Sequence, residues 1–280
     1  MAEPVTAQAI TAAEVTRKVN VAGRQRMLSQ RMAKASCLMA AEIDAGTHFT
    51  QLTQAYDLFQ RSNAALRVGD ESMGLGPEQR QAVLRSLQAI DTPWIGYSNI
   101  VADVIDAGTA EAGRMETMSE ASVSVLTLMN RAVNQTARSY GSVLPNVPMA
   151  LTITIDVAGR QRMLTQKAMK ETCLLYVTGD PAYARALAGT VGLFDLSLSA
   201  LQDGFEDVGV MAAPSPMIAG QLGLVRDLWE PMKVEFLTAA SEERIPEEAL
   251  MGLAARSDVL LFEMNKAVGM YELPLGDVEG

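Results

Sequence analysis

The chain has 280 residues, 33 of them acidic and 23 basic, for a formal net charge of −10. That balance argues against a general nucleic-acid partner, which would require a basic face. One histidine, two cysteines and no glycine-rich phosphate loop leave little for a His/Cys metal site, a nucleophilic triad or a nucleotide site. Apolar residues make up 49% and aromatics only 5%, with 17 methionines. Such a mix favours helices packed through small and flexible side chains over a β-sandwich. No apolar run reads as long enough to span a bilayer.

In chain order, MAEPVTAQ has no basic stretch followed by an apolar one. Ala2-Glu3-Pro4 straight after Met reads as the start of a mature secreted chain whose signal peptide has been removed. A first helix is expected over 15–41. At about 100° per residue, Val19, Ala22, Arg26, Ser29, Ala33 and Cys37 share one narrow stripe beside Leu28, Met32, Met39 and Ile43. Asp44-Ala45-Gly46-Thr47 stops that helix, and His48 just beyond reads as exposed. A second helix ends at Gly69, and a third carries Pro93 beside Trp94. A kink is expected there, with the tryptophan as a core anchor. After Gly108 a fourth helix runs to a linker over 141–148, where Pro145 and Pro148 bar a continuous helix.

The pattern then starts again. Stops and starts fall at Thr178-Gly179-Asp180-Pro181, over 204–216 and at Glu243-Arg244-Ile245-Pro246. Trp229 and Pro231 repeat the tryptophan–proline pairing in the third helix. Glu242, Glu243, Glu247 and Glu248 read as solvated caps that suit the helix dipole. The ending LPLGDVEG reads as a natural terminus.

The repetition is literal in places. VAGRQRMLSQ at 21–30 returns as VAGRQRMLTQ at 157–166. Leu58-Phe59 answers Leu193-Phe194, Trp94 answers Trp229, and Met129-Asn130-Arg131-Ala132-Val133 answers Met264-Asn265-Lys266-Ala267-Val268. The repeated unit has the size of a domain. The expected fold is all-α: two tandem four-helix up-and-down bundles, over 10–142 and 149–273. The short linker favours bundles stacked end to end. The alternative is a pseudo-dimer with Arg26 and Arg162 facing across a pseudo-two-fold axis. Only the latter would bring Cys37 and Cys173 close enough to pair, within about 7 Å between Cα atoms. Both cysteines are expected as buried small residues packed on the stripe.

Arg26 is the odd member of its stripe, a charge among small residues, and Arg162 repeats it. A desolvated guanidinium needs a partner. A carboxylate on another helix would make it a structural ion pair. A small planar oxyanion would make it a binding site, because the guanidinium presents a planar fork of donors. Gly23 and Gly159 leave room for such an anion, and the hydroxyls of Ser29 and Thr165 lie one turn further on. The anion reading expects an arginine open to a small polar cavity. The ion-pair reading expects Arg26 closed onto a carboxylate, with an exposed apolar patch elsewhere.

The segment Asn20 to Arg31, with Ala22-Gly23, Arg26-Met27 and Ser29, resembles the P-box of the NarX/NarQ nitrate sensors. It is closer still to the PilJ-type module at the N-terminus of type IV pilus chemotaxis transducers. The resemblance covers nearly the whole chain, twice. It implies a helical-bundle extracytoplasmic sensory domain, and the residues themselves offer no motif for catalysis, a cofactor or a metal. It also implies that Arg26 and Arg162 grip nitrate or nitrite at an interface between two first helices. A membrane-bound sensor or transducer would be the partner, and a homodimer is the alternative source of a second arginine. Copy two departs from the motif at Lys167, where copy one has Arg31, and at Asp156, where copy one has Asn20. The runner-up is a duplicated protein-interaction module whose arginines are structural.

Overall fold

The computed structural model describes residues 10–141, 149–241 and 245–271. The first copy comprises α1 (Ala12–Ala40), α2 (Ala45–Val68), α3 (Gln81–Gln88), α4 (Asp91–Ala107) and α5 (Met115–Gly141). The second comprises α6 (Met149–Thr178), α7 (Pro181–Asp203), α8 (Pro216–Ser241) and α9 (Glu247–Met270). Among the described residues the regular structure is entirely helical, apart from two matching isolated bridges, Asp70 with Leu75 and Phe205 with Val210.

Local chemistry sets the ends. Thr11 caps α1, its hydroxyl accepting from the Glu14 amide at 3.1 Å. Asp180 caps α7 in the same way, accepting from Ala182 N at 2.8 Å, with Pro181 in the first turn. α2 stops at Gly69, φ +85°, where a Cβ would lie 2.8 Å from Pro77 N and 2.9 Å from Leu75 O. Only glycine fits that left-handed corner. Gly204 makes the same corner after α7 with φ +84°.

α1 and α6 form the centre of the molecule. They pack along each other more extensively than any other helix pair. α1 is covered by α2, α5 and α6, and α6 by α1, α7 and α9. This explains why polar α1 residues are buried with the apolar ones: Lys18, Gln25, Arg26, Ser29, Gln30 and Lys34 are all within the interior. The Ala-, Gly- and Ser-rich sequence of α1 lets neighbouring backbones approach.

The copies therefore lie side by side as a pseudo-dimer, and the end-to-end expectation is corrected. The reason is parity. A four-helix up-and-down bundle finishes at the end where it began, so a short linker suffices to start α6 alongside α1 in the same direction. Cys37 and Cys173 are joined in a disulfide across this seam, with Cα atoms 6.1 Å apart. Prolines 145 and 148, the N-terminal segment 1–9, residues 242–244 and the ending at 273–280 lie outside the described residues.

Other expectations shift. In copy one the third helix breaks between α3 and α4, ahead of Pro93, which sits in the first turn of α4 where its missing N–H costs nothing. In copy two α8 runs unbroken through Pro231, on its exposed side, where water can serve the freed carbonyl. Trp229 is fully buried against Phe194, but Trp94 is only half-buried over Phe59. His48 is buried, not exposed. The left-handed residues Glu42 and Asp44 turn the chain sharply before α2, and burial together with nearby Lys34 pulls the imidazole below its ordinary range. Among the described residues one helix, α7, does reach spanning length and composition, with a mean hydropathy of 1.2 over its most apolar window. Here it is the second helix of copy two, packed on α6 and α8.

Candidate functional site: the arginine pair at the seam

Where α1 crosses α6, Gly23 and Gly159 stand opposite each other's arginines. A Cβ on Gly23 would lie 3.2 Å from Arg26 Nη2 and 3.8 Å from Arg162 Nη2. A Cβ on Gly159 would lie 3.4 Å from Arg162 Nη2 and 3.5 Å from Arg26 Nη2. The two guanidiniums thus converge over one pair of glycines, related by the pseudo-two-fold axis. Both side chains are nearly sealed, Arg26 at 1% exposure and Arg162 at 3%. Burial pulls the Arg26 guanidinium below its ordinary range, opposed by Asp156.

Each arginine reaches across the seam to the other copy. Arg26 Nη2 donates to the Asp156 carbonyl at 3.3 Å and lies 2.7 Å from Asp156 Oδ1. Arg162 Nη2 donates to Asn20 Oδ1 at 2.5 Å and lies 3.5 Å from the Asn20 carbonyl. Each arginine also reaches the fourth helix of its own copy. Arg26 Nη1 donates to Asn130 Oδ1 and Arg162 Nη1 to Asn265 Oδ1, both at 3.3 Å. Among these cross-seam contacts the two halves differ at Asn20 and Asp156. The Asp156 carboxylate is also held by Arg160, whose Nη2 donates to Oδ2 at 3.0 Å.

Two further buried cations continue along the seam. Lys34 donates to Asp258 Oδ1 at 2.8 Å, and Gln51 holds the other carboxylate oxygen at 2.7 Å. Lys170, its equivalent, donates to Gln30 Oε1 at 2.8 Å and to Ser122 Oγ at 3.4 Å. Burial pushes both ammonium groups down to about 8. Copy one has Val123 where copy two has Asp258, so Lys170 rests on neutral acceptors. Gln166, one turn beyond Arg162, is fully buried, and neither amide atom has a hydrogen-bond partner among the described residues. Four buried cations thus line the seam, and two of them, Arg26 and Lys34, are paired with carboxylates, Asp156 and Asp258.

The sequence-derived site residues divide. Arg26, Arg162, Gly23 and Gly159 come together. The Ser29 and Thr165 hydroxyls donate to their own helices instead, to Arg26 O at 2.9 Å and Gln161 O at 3.0 Å. Lys167, which replaces the motif arginine, is tied to Glu171 and Thr190. Asn130 and Asn265 were missed, although the repeated Met-Asn-(Arg/Lys)-Ala-Val was visible in the sequence. A shared asparagine inside an apolar repeat on the fourth helix was the available signal.

Beside the seam a groove of about 750 Å³ opens between α5, α6, α7 and the turn after α7. Ile153, Leu196, Phe205 and Val208 line it, and Asp156 and Arg160 sit on its wall. Among the described residues no group of three His, Cys, Asp or Glu side chains could hold a metal ion.

The family model of type IV pili methyl-accepting chemotaxis transducer N-terminal domains, PilJ, matches residues 11–117 and 152–251, one segment in each copy. A relative is the methyl-accepting chemotaxis protein McpN of Pseudomonas aeruginosa, 33% identical over 127 residues. That stretch is 45% of this chain and 23% of the relative's length.

Proposed function

Because the chain belongs to the family of type IV pili methyl-accepting chemotaxis transducer N-terminal domains, we propose that it is a periplasmic sensory module holding one small oxyanion between Arg26 and Arg162. Nitrate or nitrite is the ligand class by resemblance. The observation that carries this reading is the convergence of two buried guanidiniums from the two copies over Gly23 and Gly159. A planar anion there would accept from both forks. It would also relieve the repulsion of two like charges held together in a low-dielectric seam. Gln166, buried with open donors and acceptors, suits a small polar occupant nearby. A single chain supplies both arginines, so no homodimer is required. The signal would pass to a membrane-bound transducer, since the family's role is sensory and not catalytic.

A second reading has its own support. Arg26 is closed onto Asp156, as the ion-pair alternative expects. Copy two also presents an apolar outer face: Met251, Val259 and Phe262 on α9 are 52%, 49% and 58% exposed. Copy one has Glu116, Ser124 and Thr127 at the equivalent places. The same bundle is thus solvated in one copy and apolar in the other, which favours a protein partner on copy two. The α9 face and the arginine seam are different surfaces, so a protein partner on copy two is compatible with either role of the arginines.

Thermal unfolding with nitrate, nitrite, sulfate and chloride tests the anion site. A ligand at about 100 times its dissociation constant stabilises the folded state by roughly 2.7 kcal/mol. Nitrate or nitrite is expected to raise the midpoint of the wild type, and Arg26→Ala and Arg162→Ala are each expected to abolish the rise. A rise that survives in either variant, or no rise with any anion in both the wild type and Asp156→Asn, would remove the seam as the site.

A further inference from the structure

One break in the pseudo-two-fold symmetry lies at the arginine pair itself. Asn20 serves Arg162 with a neutral carbonyl oxygen, but the equivalent residue serving Arg26 is Asp156, a carboxylate. Its position is set twice over. Oδ1 lies 2.7 Å from Arg26 Nη2 inside the seam, and Oδ2 accepts from Arg160 at 3.0 Å on the groove side. Arg26 is 1% exposed, whereas the Arg160 side chain is 34% exposed. The carboxylate therefore stands between a buried cation and one that solvent reaches.

Resting on the anion-site reading, we propose that Asp156 is a tethered counter-anion that occupies Arg26 in the empty site and determines which ligands enter. A carboxylate oxygen against a guanidinium presents the same chemistry as an oxygen of nitrate or nitrite. An incoming anion must displace it from Arg26. Displacement does not strand a buried charge, because Arg160 is the next residue on that face of α6, one turn on, and keeps hold of Oδ2. The exchange is a handover: Arg26 passes from Asp156 to the ligand, and Asp156 stays with Arg160 at the groove wall. The groove that Asp156 and Arg160 line is the route by which the ligand arrives. Arg160 is a positioning residue here; it acts on the ligand only through Asp156. The two half-sites are consequently unequal, with Arg162 held by the neutral Asn20 amide and Arg26 by a competing carboxylate.

The test is calorimetric titration of nitrate into the whole chain as wild type, Asp156→Asn, Asn20→Asp, Arg160→Gln and the Asp156→Asn/Arg160→Gln pair. Asp156→Asn copies the arrangement that copy one already tolerates, and circular dichroism checks its fold. It is expected to bind about tenfold tighter or more, since a like charge at the site is removed. Asn20→Asp is expected to bind about tenfold weaker, by adding the second competitor. Arg160→Gln is expected to weaken binding in the wild type. In the Asp156→Asn background it should change affinity by no more than about twofold, because only screened long-range attraction remains. Binding by Asp156→Asn alone, with none by the wild type, supports the gate in its closed extreme. Wild-type binding that Asp156→Asn leaves unchanged or weakens overturns the gate and leaves the anion site standing. Equal loss from Arg160→Gln in both backgrounds also overturns it. No nitrate binding by either the wild type or Asp156→Asn overturns the gate and the anion site together.

Discussion

Replacing Cys37 and Cys173 together by alanine is expected to lower the unfolding free energy by about 4–5 kcal/mol. The bond closes a loop with a sequence separation of 136 residues. Chain-entropy reasoning puts a 100-residue loop near 4.7 kcal/mol and rises only slowly with length. Both cysteines are fully buried, so the loss is read most cleanly from the double variant by urea unfolding monitored at 222 nm. For a chain of this size the midpoint should fall by on the order of 10 °C. The bond ties the first helices of the two copies at one end of the seam, while the arginines lie further along it. A loss below about 1 kcal/mol would mean that α1 and α6 are already held together in the unfolded ensemble, or that the pairing does not form.

Trp229→Ala is expected to cost about 3–5 kcal/mol, the range for emptying a large buried aromatic site. Its ring lies 3.9 Å from that of Phe194 and 6.0 Å from that of Phe236, centroid to centroid. Its indole N–H donates to Asp195 Oδ1 at 3.2 Å. Asp195 also holds Lys233 and Arg226 at 2.9 and 2.8 Å. Removing the ring leaves a cavity and loosens that cluster together. Trp94→Ala, at the equivalent place in copy one, is expected to cost about half as much, because the ring is only half-buried and less area is lost to water. Chemical denaturation of the two variants reads the difference. Equal costs would contradict the asymmetry between an unbroken α8 and the divided α3 and α4.

Much of this architecture is visible in the chain itself. The repeated VAGRQRML segment, the glycine stops and the paired tryptophans are local signals, and local physics carries them. The convergence of Arg26 with Arg162 is not local. It depends on α1 and α6 lying parallel, and that follows from the even number of up-and-down legs in copy one, with α3 and α4 forming one leg, not from the length of the linker. Linker length taken alone favours stacking, and it misleads here. Asp156 illustrates the same limit. In the sequence it is an acid that spoils an anion motif; in the fold it is the residue that touches Arg26. His48 follows a glycine-bearing turn in a polar stretch and reads as exposed. Two left-handed residues, Glu42 and Asp44, direct it inward, and nothing in their identity requires that conformation. Asn130 and Asn265 were within reach, since polar residues repeated at identical places in two apolar helices are there for a contact.

The central claim is that one chain carries one complete anion site, made by its own two arginines on the pseudo-two-fold axis. Binding stoichiometry tests it most directly: nitrate titrated calorimetrically into protein whose mass is fixed by sedimentation. The account expects one nitrate per monomeric chain, at the same stoichiometry at every protein concentration, and none in Arg26→Ala or Arg162→Ala. Two nitrates per chain, or binding only where the chain dimerises, would contradict it.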